Sequence, residues 1–259
     1  MEADLVSKYE TNNPTQAAWE RKENIMAFGP IMRFTVGELR IELAPHTKES
    51  ASEFVNIEYG GGLQQFSVSR YLGISWAPVA EDEQEWFEKL RTSKTSLAWG
   101  IWVIEGDGVN QTRTIIGNSV LSDIGKDGHI RFIQQASSGS VIFRQEYWGK
   151  GIASAAHKAR TWYAFNQLGI HRIKSAVIQA NEASRRALER TGYTYVYSER
   201  NEQFSDGQFH HLDCFECLNP LDIFWNQWWH GDRPSKAASR ARVLTREALA
   251  WAEHNVELA

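Results

Sequence analysis

Ser140-Val141-Ile142-Phe143-Arg144-Gln145-Glu146-Tyr147-Trp148-Gly149-Lys150-Gly151-Ile152-Ala153-Ser154 is the stretch on which the reading of this chain turns. An apolar, β-prone run, Val141-Ile142-Phe143, gives way to a short polar link, then to Gly149 and Gly151, then to an alanine-rich segment with helical spacing. The pattern predicts strand, tight loop and helix. Such a loop offers backbone N–H groups that lack intrahelical acceptors, and the helix dipole adds partial positive charge at the same point. Together they make an anion site, most often for phosphate. Glycine suits positions 149 and 151 because a Cβ there would hinder positive φ or hold a pyrophosphate off the backbone.

Spacing sorts the phosphate loops. A Walker loop needs G-x-x-x-x-G-K-[ST], but the residue five before Gly149 is Arg144 and Lys150 is followed by Gly151. A dinucleotide fingerprint could take Gly149, Gly151 and Ser154. It would also want an acidic residue about 20 positions on, at the end of the next strand. The next strand, Arg172 to Gln179, ends instead in Gln179-Ala180-Asn181. A plain βα turn without a ligand stays open at this point, since glycine-rich turns are common punctuation.

Working outward, Asn181-Glu182-Ala183-Ser184 opens a second short helix that runs through Leu188 and stops at Gly192-Tyr193. Three words now stand in order: Tyr147-Trp148-Gly149-Lys150-Gly151-Ile152-Ala153, Leu168-Gly169-Ile170-His171-Arg172, and Asn181-x-x-Ser184 through Leu188-Glu189-Arg190-Thr191-Gly192-Tyr193. With them the chain resembles the GNAT N-acetyltransferase superfamily, and most closely its ribosomal-protein N-terminal acetyltransferase branch. The resemblance is strongest over Ser140 to Tyr197, extends from about Glu38 to Leu218, and is absent at both ends. It implies an α+β fold, with a mostly antiparallel twisted sheet that contains one parallel strand pair and is flanked by helices. Helical arms would be added at both termini.

The strand and helix alternation supports the same fold class. Ser140 to Leu188 reads βαβα, while the flanking strands look hairpin-connected. Glu38 to Ala44 reads as a strand, Thr47 to Glu58 and Glu81 to Arg91 as helices, and Leu97 to Ile104 as a central strand buried on both faces. Thr114 to Leu121 is its expected antiparallel partner, and His129 to Ile133 a further strand. The helix from Ile152 to Leu168 places Ile152, Ala155, Ala156, Ala159, Trp162 and Tyr163 on one face. Lys150 and Arg160 read as solvated or ion-paired.

The ends read differently. Asn13-Pro14-x-Gln16 and Gly29-Pro30 bracket a helix over 14–28. After Asn219-Pro220 come Phe224, Trp225, Trp228 and Trp229. A last helix runs from Pro234 to about Val256, with a stripe at Ala237, Ala241, Leu244, Ala248 and Trp251. This stripe needs a surface, its own domain being preferred over a homodimer interface. Arg233, Lys236, Arg240, Arg242 and Arg246 crowd its first half, away from the end the dipole favours. The expected division is 1–35, an N-terminal helical arm; 36–219, the acetyltransferase domain; and 220–259, an aromatic and helical extension.

At 259 residues the chain can bury a full core. No apolar run approaches the about 20 residues of a membrane span, and the start, Met1-Glu2-Ala3-Asp4, lacks signal-peptide regions. The expectation is a cytoplasmic protein without a membrane partner. A net charge of −4 provides no overall basic footprint for nucleic acid. Cys214-x-x-Cys217 beside His210 and His211 invites a metal reading. In a strand, however, positions three apart face opposite ways, and no second pair completes a zinc set. No metal is expected.

The resemblance also assigns roles. It implies acetyl-CoA as acyl donor, held by Phe143, Trp148, Gly149, Lys150, Gly151, Ile152, Ala153 and Ser154, with Asn181 lining the cofactor. It implies Ser184 as the acid for the leaving thiolate, because Leu188 stands where many members carry a tyrosine. The plainer reading of Ser184 is a polar residue in a helix's first turn. The segment with Tyr71 and Trp76 would overhang the acceptor pocket. Ser138 occupies the position where relatives often carry an acidic base. Glu146 is the candidate base by proximity, with His129, Asp123 and His157 as alternatives. The acceptor implied is a primary amine, at a protein N-terminus or on an aminated metabolite or antibiotic. A GNAT-fold binding protein without catalysis is the third reading.

Overall fold

The computed structural model describes residues 29–47, 63, 65–72, 80–125 and 134–259. The helix expected over 14–28, most of that expected from Thr47 to Glu58, the strand expected from His129 to Ile133, and Trp76 lie outside them.

Among the described residues a nine-stranded sheet runs in the order β7-β8-β6-β5-β4-β3-β2-β1-β9. Its strands are β1 (Met32–Val36), β2 (Leu39–Pro45), β3 (Leu97–Glu105), β4 (Thr112–Ser122), β5 (Gln135–Ile142), β6 (Arg172–Ile178), β7 (Thr194–Ser205), β8 (Gln208–Leu218) and β9 (Glu257–Leu258). β5 and β6 pair in parallel, and every other pairing is antiparallel. The expected sheet, with one parallel pair, is therefore present. β3 is central as its apolar run requires, with Trp99, Ile101, Trp102 and Val103 all buried on its two faces.

Helices cover both faces. One face carries α1 (Phe66–Ser69) and α2 (Ala80–Thr92), where Val68 and Phe87 pack with Ala44, Trp102, Ile115 and Phe143. The other carries α3 (Ile152–Asn166), α4 (Glu182–Glu189) and α6 (Lys236–Asn255), and α5 (Asp222–Trp228) follows β8. All six residues expected on the inner face of α3 are buried. Arg160 corrects the sequence reading: it is wholly buried on that same face rather than solvated.

The ends join the sheet. All but the last residue of β1 lies in the span read as the N-terminal arm, and β9 lies within the C-terminal extension, where it pairs with Met32 and Arg33. Between them α6 crosses α3. Trp162 Nε1 donates to Glu253 Oε2 at 2.7 Å, and Trp251 meets Phe34 edge-on at 5.9 Å. The expected packing of this helix on its own domain is thus observed. Of the expected stripe, Ala248 is buried, Ala241, Leu244 and Trp251 are half-buried, and Ala237 is exposed, while Ala238, Thr245 and Ala252 are buried beside it. The helix docks closely at Gly192, where a Cβ would run into Thr245 Oγ1 and stand 2.7 Å from Ala241 O. Two of the clustered basic residues act locally, since Arg242 and Arg246 both donate to Pro220 O and Asp222 and so fasten α5 to α6.

Candidate acyl-donor and transfer site

The parallel pair is short. β5 and β6 pair from Gln135↔Arg172 to Ser138↔Ser175 and then part. Beyond that point Gly139–Ile142 stays with β4, and Ala176–Ile178 with β8. The sheet therefore opens at the carboxyl ends of its parallel strands, the position at which such strands present ligand sites. Ser175 Oγ donates to Ser138 O at 3.1 Å, closing the last pair before the fork.

The glycine loop stands at the end of β5. A single 3-10 turn, Gln145–Tyr147, leads into Trp148, and contacts to three parts of the domain hold the link in place. Arg144 Nε donates to Ile115 O at 3.0 Å, Gln145 Nε2 to Ser67 Oγ at 2.7 Å, and Trp148 Nε1 to Ile142 O at 2.7 Å. Gly149 and Gly151 have φ of 73° and 84°, the left-handed region predicted for them. Gly151 is the N-cap of α3, whose first intrahelical bond is Ala155 N–H to Gly151 O at 3.1 Å. The N–H groups of Ile152, Ala153 and Ser154 precede that ladder and point out of the helix start. Lys150 is exposed, its Nζ 5.2 Å from the Tyr147 ring centroid. These residues fit a pyrophosphate. Phe143 is buried and donates its N–H to Ile116 O at 3.0 Å, so that N–H belongs to the sheet.

On the β6 side, Asn181 caps α4. Its Oδ1 accepts the Ser184 N–H at 3.1 Å, which commits the carboxamide oxygen and leaves the Nδ2 donor for a ligand. Ser184 is half-buried, and the cap uses its backbone, not its hydroxyl. Leu188 is buried in the core. Next to Ser184, Arg185 pairs with the buried Asp213 of β8, which also accepts from Ser198 Oγ at 2.5 Å.

Tyr71 lies where α1 meets the β7–β8 hairpin. Gln203 Nε2 donates to Arg70 O at 2.6 Å, Arg70 Nη2 to the Tyr71 hydroxyl at 2.6 Å, and Arg70 pairs with Asp206 at 3.4 Å.

The candidate bases separate. His157 is buried, its Nδ1 2.5 Å from Arg160 Nη2. Burial, followed by the guanidinium's charge, holds its pKa well below the usual histidine range. His157 is 5% exposed and its Nδ1 is taken by Arg160, which removes it from the alternatives. Glu146 is exposed, with Oε1 3.6 Å from Arg144 Nη1, and Ser138 Oγ is 3.4 Å from the Tyr193 hydroxyl. His129 lies outside the described residues.

Sequence reasoning missed Arg160 and Tyr193 as parts of this region. The signal was present for Arg160, which lies four residues after Ala156 and so shares its face. Among the described residues no group of three His, Cys, Asp or Glu side chains could hold a metal ion, and Cys214 and Cys217 are free thiols. Nor is any helix among them long and apolar enough to cross a membrane.

Comparison with known proteins agrees with this geometry. The protein described as "Uncharacterized N-acetyltransferase YoaA" of Bacillus subtilis (strain 168) is 26% identical over 158 residues, covering 60% of this chain and 82% of its own length. Among solved structures, Mycobacterium smegmatis RimJ in complex with CoA-disulfide is similar with a TM-score of 0.58 and 17% identity, over 89% of this chain and 96% of that one. Spermidine N-acetyltransferase from Vibrio cholerae, in complex with CoA and spermine, has a TM-score of 0.56 and 16% identity, over 69% and 95%. At such identities these two structures speak for the fold alone. The family described as acetyltransferase (GNAT) domain matches residues 40–194, more than half of the chain, and the protein belongs to that family.

Proposed function

We propose that the protein transfers the acetyl group of acetyl-CoA to an α-amine at a peptide or protein N-terminus. The observation that carries the donor half is the fork of β5 and β6 after Ser138↔Ser175, with the Gly149–Gly151 loop and the α3 N-terminus at its end. Diphosphate binds the N–H groups of residues 149–154, and the acyl-bearing arm enters the gap between the strands. Attack of the neutral amine on the thioester carbonyl expels a thiolate, and Ser184 stands at the start of α4 as the acid for it. Asn181 contributes its Nδ2 donor, and Tyr71 borders the acceptor.

The acceptor half rests on proton chemistry. Ser138 stands at the position of the family's acidic base, and Glu146, the remaining candidate on the loop, is exposed and ion-paired. Deprotonating a lysine-type amine at pH 7 costs about 4.6 kcal/mol, whereas an α-amine near 7.8 costs about 1.1 kcal/mol. A site with serine where the family carries an acidic base suits the second.

The test is a panel of amines, comprising peptides with free N-termini, the same peptides blocked but carrying lysine, spermidine, and an aminoglycoside, with CoA release monitored. Turnover confined to free N-termini is expected. Turnover on spermidine or the aminoglycoside alone would replace the reading with small-molecule acetylation, and none at all would leave a binding protein.

A further inference from the structure

Arg160 is wholly buried between α3 and the sheet, and its contacts with described residues include no carboxylate. Nη1 donates to Gly139 O at 2.6 Å and to Ser119 Oγ of β4 at 3.0 Å, and Nη2 lies 2.5 Å from His157 Nδ1. The Tyr193 hydroxyl, on the turn between α4 and β7, is a further partner. A buried cation without an anion is costly, and an apolar residue would pack α3 against the sheet without that cost. Packing alone therefore does not explain an arginine here.

Its position does. Gly139 is the first residue of β5 beyond the last β5–β6 pair, so the carbonyl that Arg160 takes is the first one past the fork. Ser175 takes the carbonyl just before it. The two side chains thus fix the backbone on either side of the point where the strands part, one closing the final pair and the other drawing the next carbonyl toward α3. Gly139, having no side chain, cannot hold itself by packing. The Ser119 contact anchors the same guanidinium to β4, and the Tyr193 contact anchors it to the turn that follows α4.

We infer that Arg160 is a positioning residue that holds the β5–β6 gap at the width the acyl-bearing arm of the donor requires. The inference rests on the reading that this gap takes acetyl-CoA. It separates two parts of one ligand: the diphosphate meets the glycine loop, which Arg160 does not touch, and the pantetheine and acetyl group meet the gap, which it shapes.

The experiment compares acetyl-CoA with 3′-phosphoadenosine 5′-diphosphate, which keeps the diphosphate and lacks the arm, by calorimetric titration of wild type, Arg160→Met and Arg160→Lys, each checked for folding by circular dichroism. Arg160→Met should weaken acetyl-CoA about tenfold or more, with the affinity for the armless nucleotide unchanged, and Arg160→Lys should recover part of the loss. If Arg160→Met does not fold, Tyr193→Phe, which removes one anchor and keeps the packing, should show the same split at about threefold. Equal losses for both ligands would mean a structural role only, and unchanged acetyl-CoA affinity in a folded variant would likewise overturn the inference. If wild type itself fails to bind acetyl-CoA, the donor reading falls first, and the inference with it.

Discussion

Asn181 Oδ1 accepts the backbone N–H of Ser184 at 3.1 Å, so the cap of α4 and the hydroxyl proposed as the acid belong to different residues. The two roles can therefore be removed separately. Ser184→Ala keeps the capping bond and should leave thermal stability nearly unchanged. It should lower kcat about tenfold or more at constant acetyl-CoA affinity, because the lost interaction belongs to the transition state. Asn181→Ala should instead cost about 1 kcal/mol of stability, read as a lower Tm. A Ser184→Ala enzyme with full kcat and a lowered Tm would return Ser184 to a structural role.

Gly192 tests the docking of α6. Its φ is 93°, and a Cβ would meet Thr245 Oγ1, Ala241 O and Thr245 N, all within 2.7 Å. Gly192→Ala should destabilise by about 3 kcal/mol, combining left-handed strain with overpacking. Adding Thr245→Ala should recover only part, since two of the three clashing atoms are backbone. Full recovery in the double variant, measured by denaturant unfolding, would show that the side chain alone sets the fit.

Removal of residues 221–259 tests the extension as a whole. It takes away α6 and β9, uncovers Trp162 and Phe34, and leaves β1 an edge strand. Each large apolar side chain so exposed forfeits roughly 1.5 to 3 kcal/mol. The truncated chain should aggregate or lose its cooperative transition, and an equally stable soluble product would contradict the packing described here.

His46 sets an acid limit. Burial, partly offset by its bond with Asn118 at 3.3 Å, lowers its pKa to about 4 from an ordinary 6.5. Between those values the unfolded chain binds the extra proton, so stability present above pH 6.5 is lost as pH falls toward 4. The loss amounts to about 3 kcal/mol for this group. His157 acts in the same direction. His46→Gln should flatten, without abolishing, the fall in unfolding free energy from pH 6.5 to 4, and an unaltered slope would assign it to other groups.

What the sequence revealed and what it hid follow from the range of the interactions. The glycine loop, the inner face of α3 and the Asn181 helix start depend on neighbours within a few residues, and these were legible. β1 and β9 were not: β1 is a five-residue strand held along its length by β2, and the two residues of β9 become a strand only by pairing with Met32 and Arg33 from the other end of the chain. The stripe of α6 was legible from Ala241 to Trp251, but the burial of Thr245 was not, because its neighbour there is Gly192, distant in sequence. The face of Arg160 was legible from Ala156, but its partners, a carbonyl, two hydroxyls and an imidazole, were not, because only the fold brings them to one place.

The central claim is that acetyl-CoA binds at the Gly149–Gly151 loop and the gap behind it. Gly151→Val tests it most directly: a Cβ at this position clears Val36 Cγ1 at 3.6 Å, so the fold can accept the volume, while a β-branched residue resists φ of 84° and crowds the N–H groups of the loop. Calorimetric titration of acetyl-CoA should give one site per chain in wild type and no measurable binding in a folded Gly151→Val protein. Equal affinity in the two proteins, or no binding in wild type, would contradict the account.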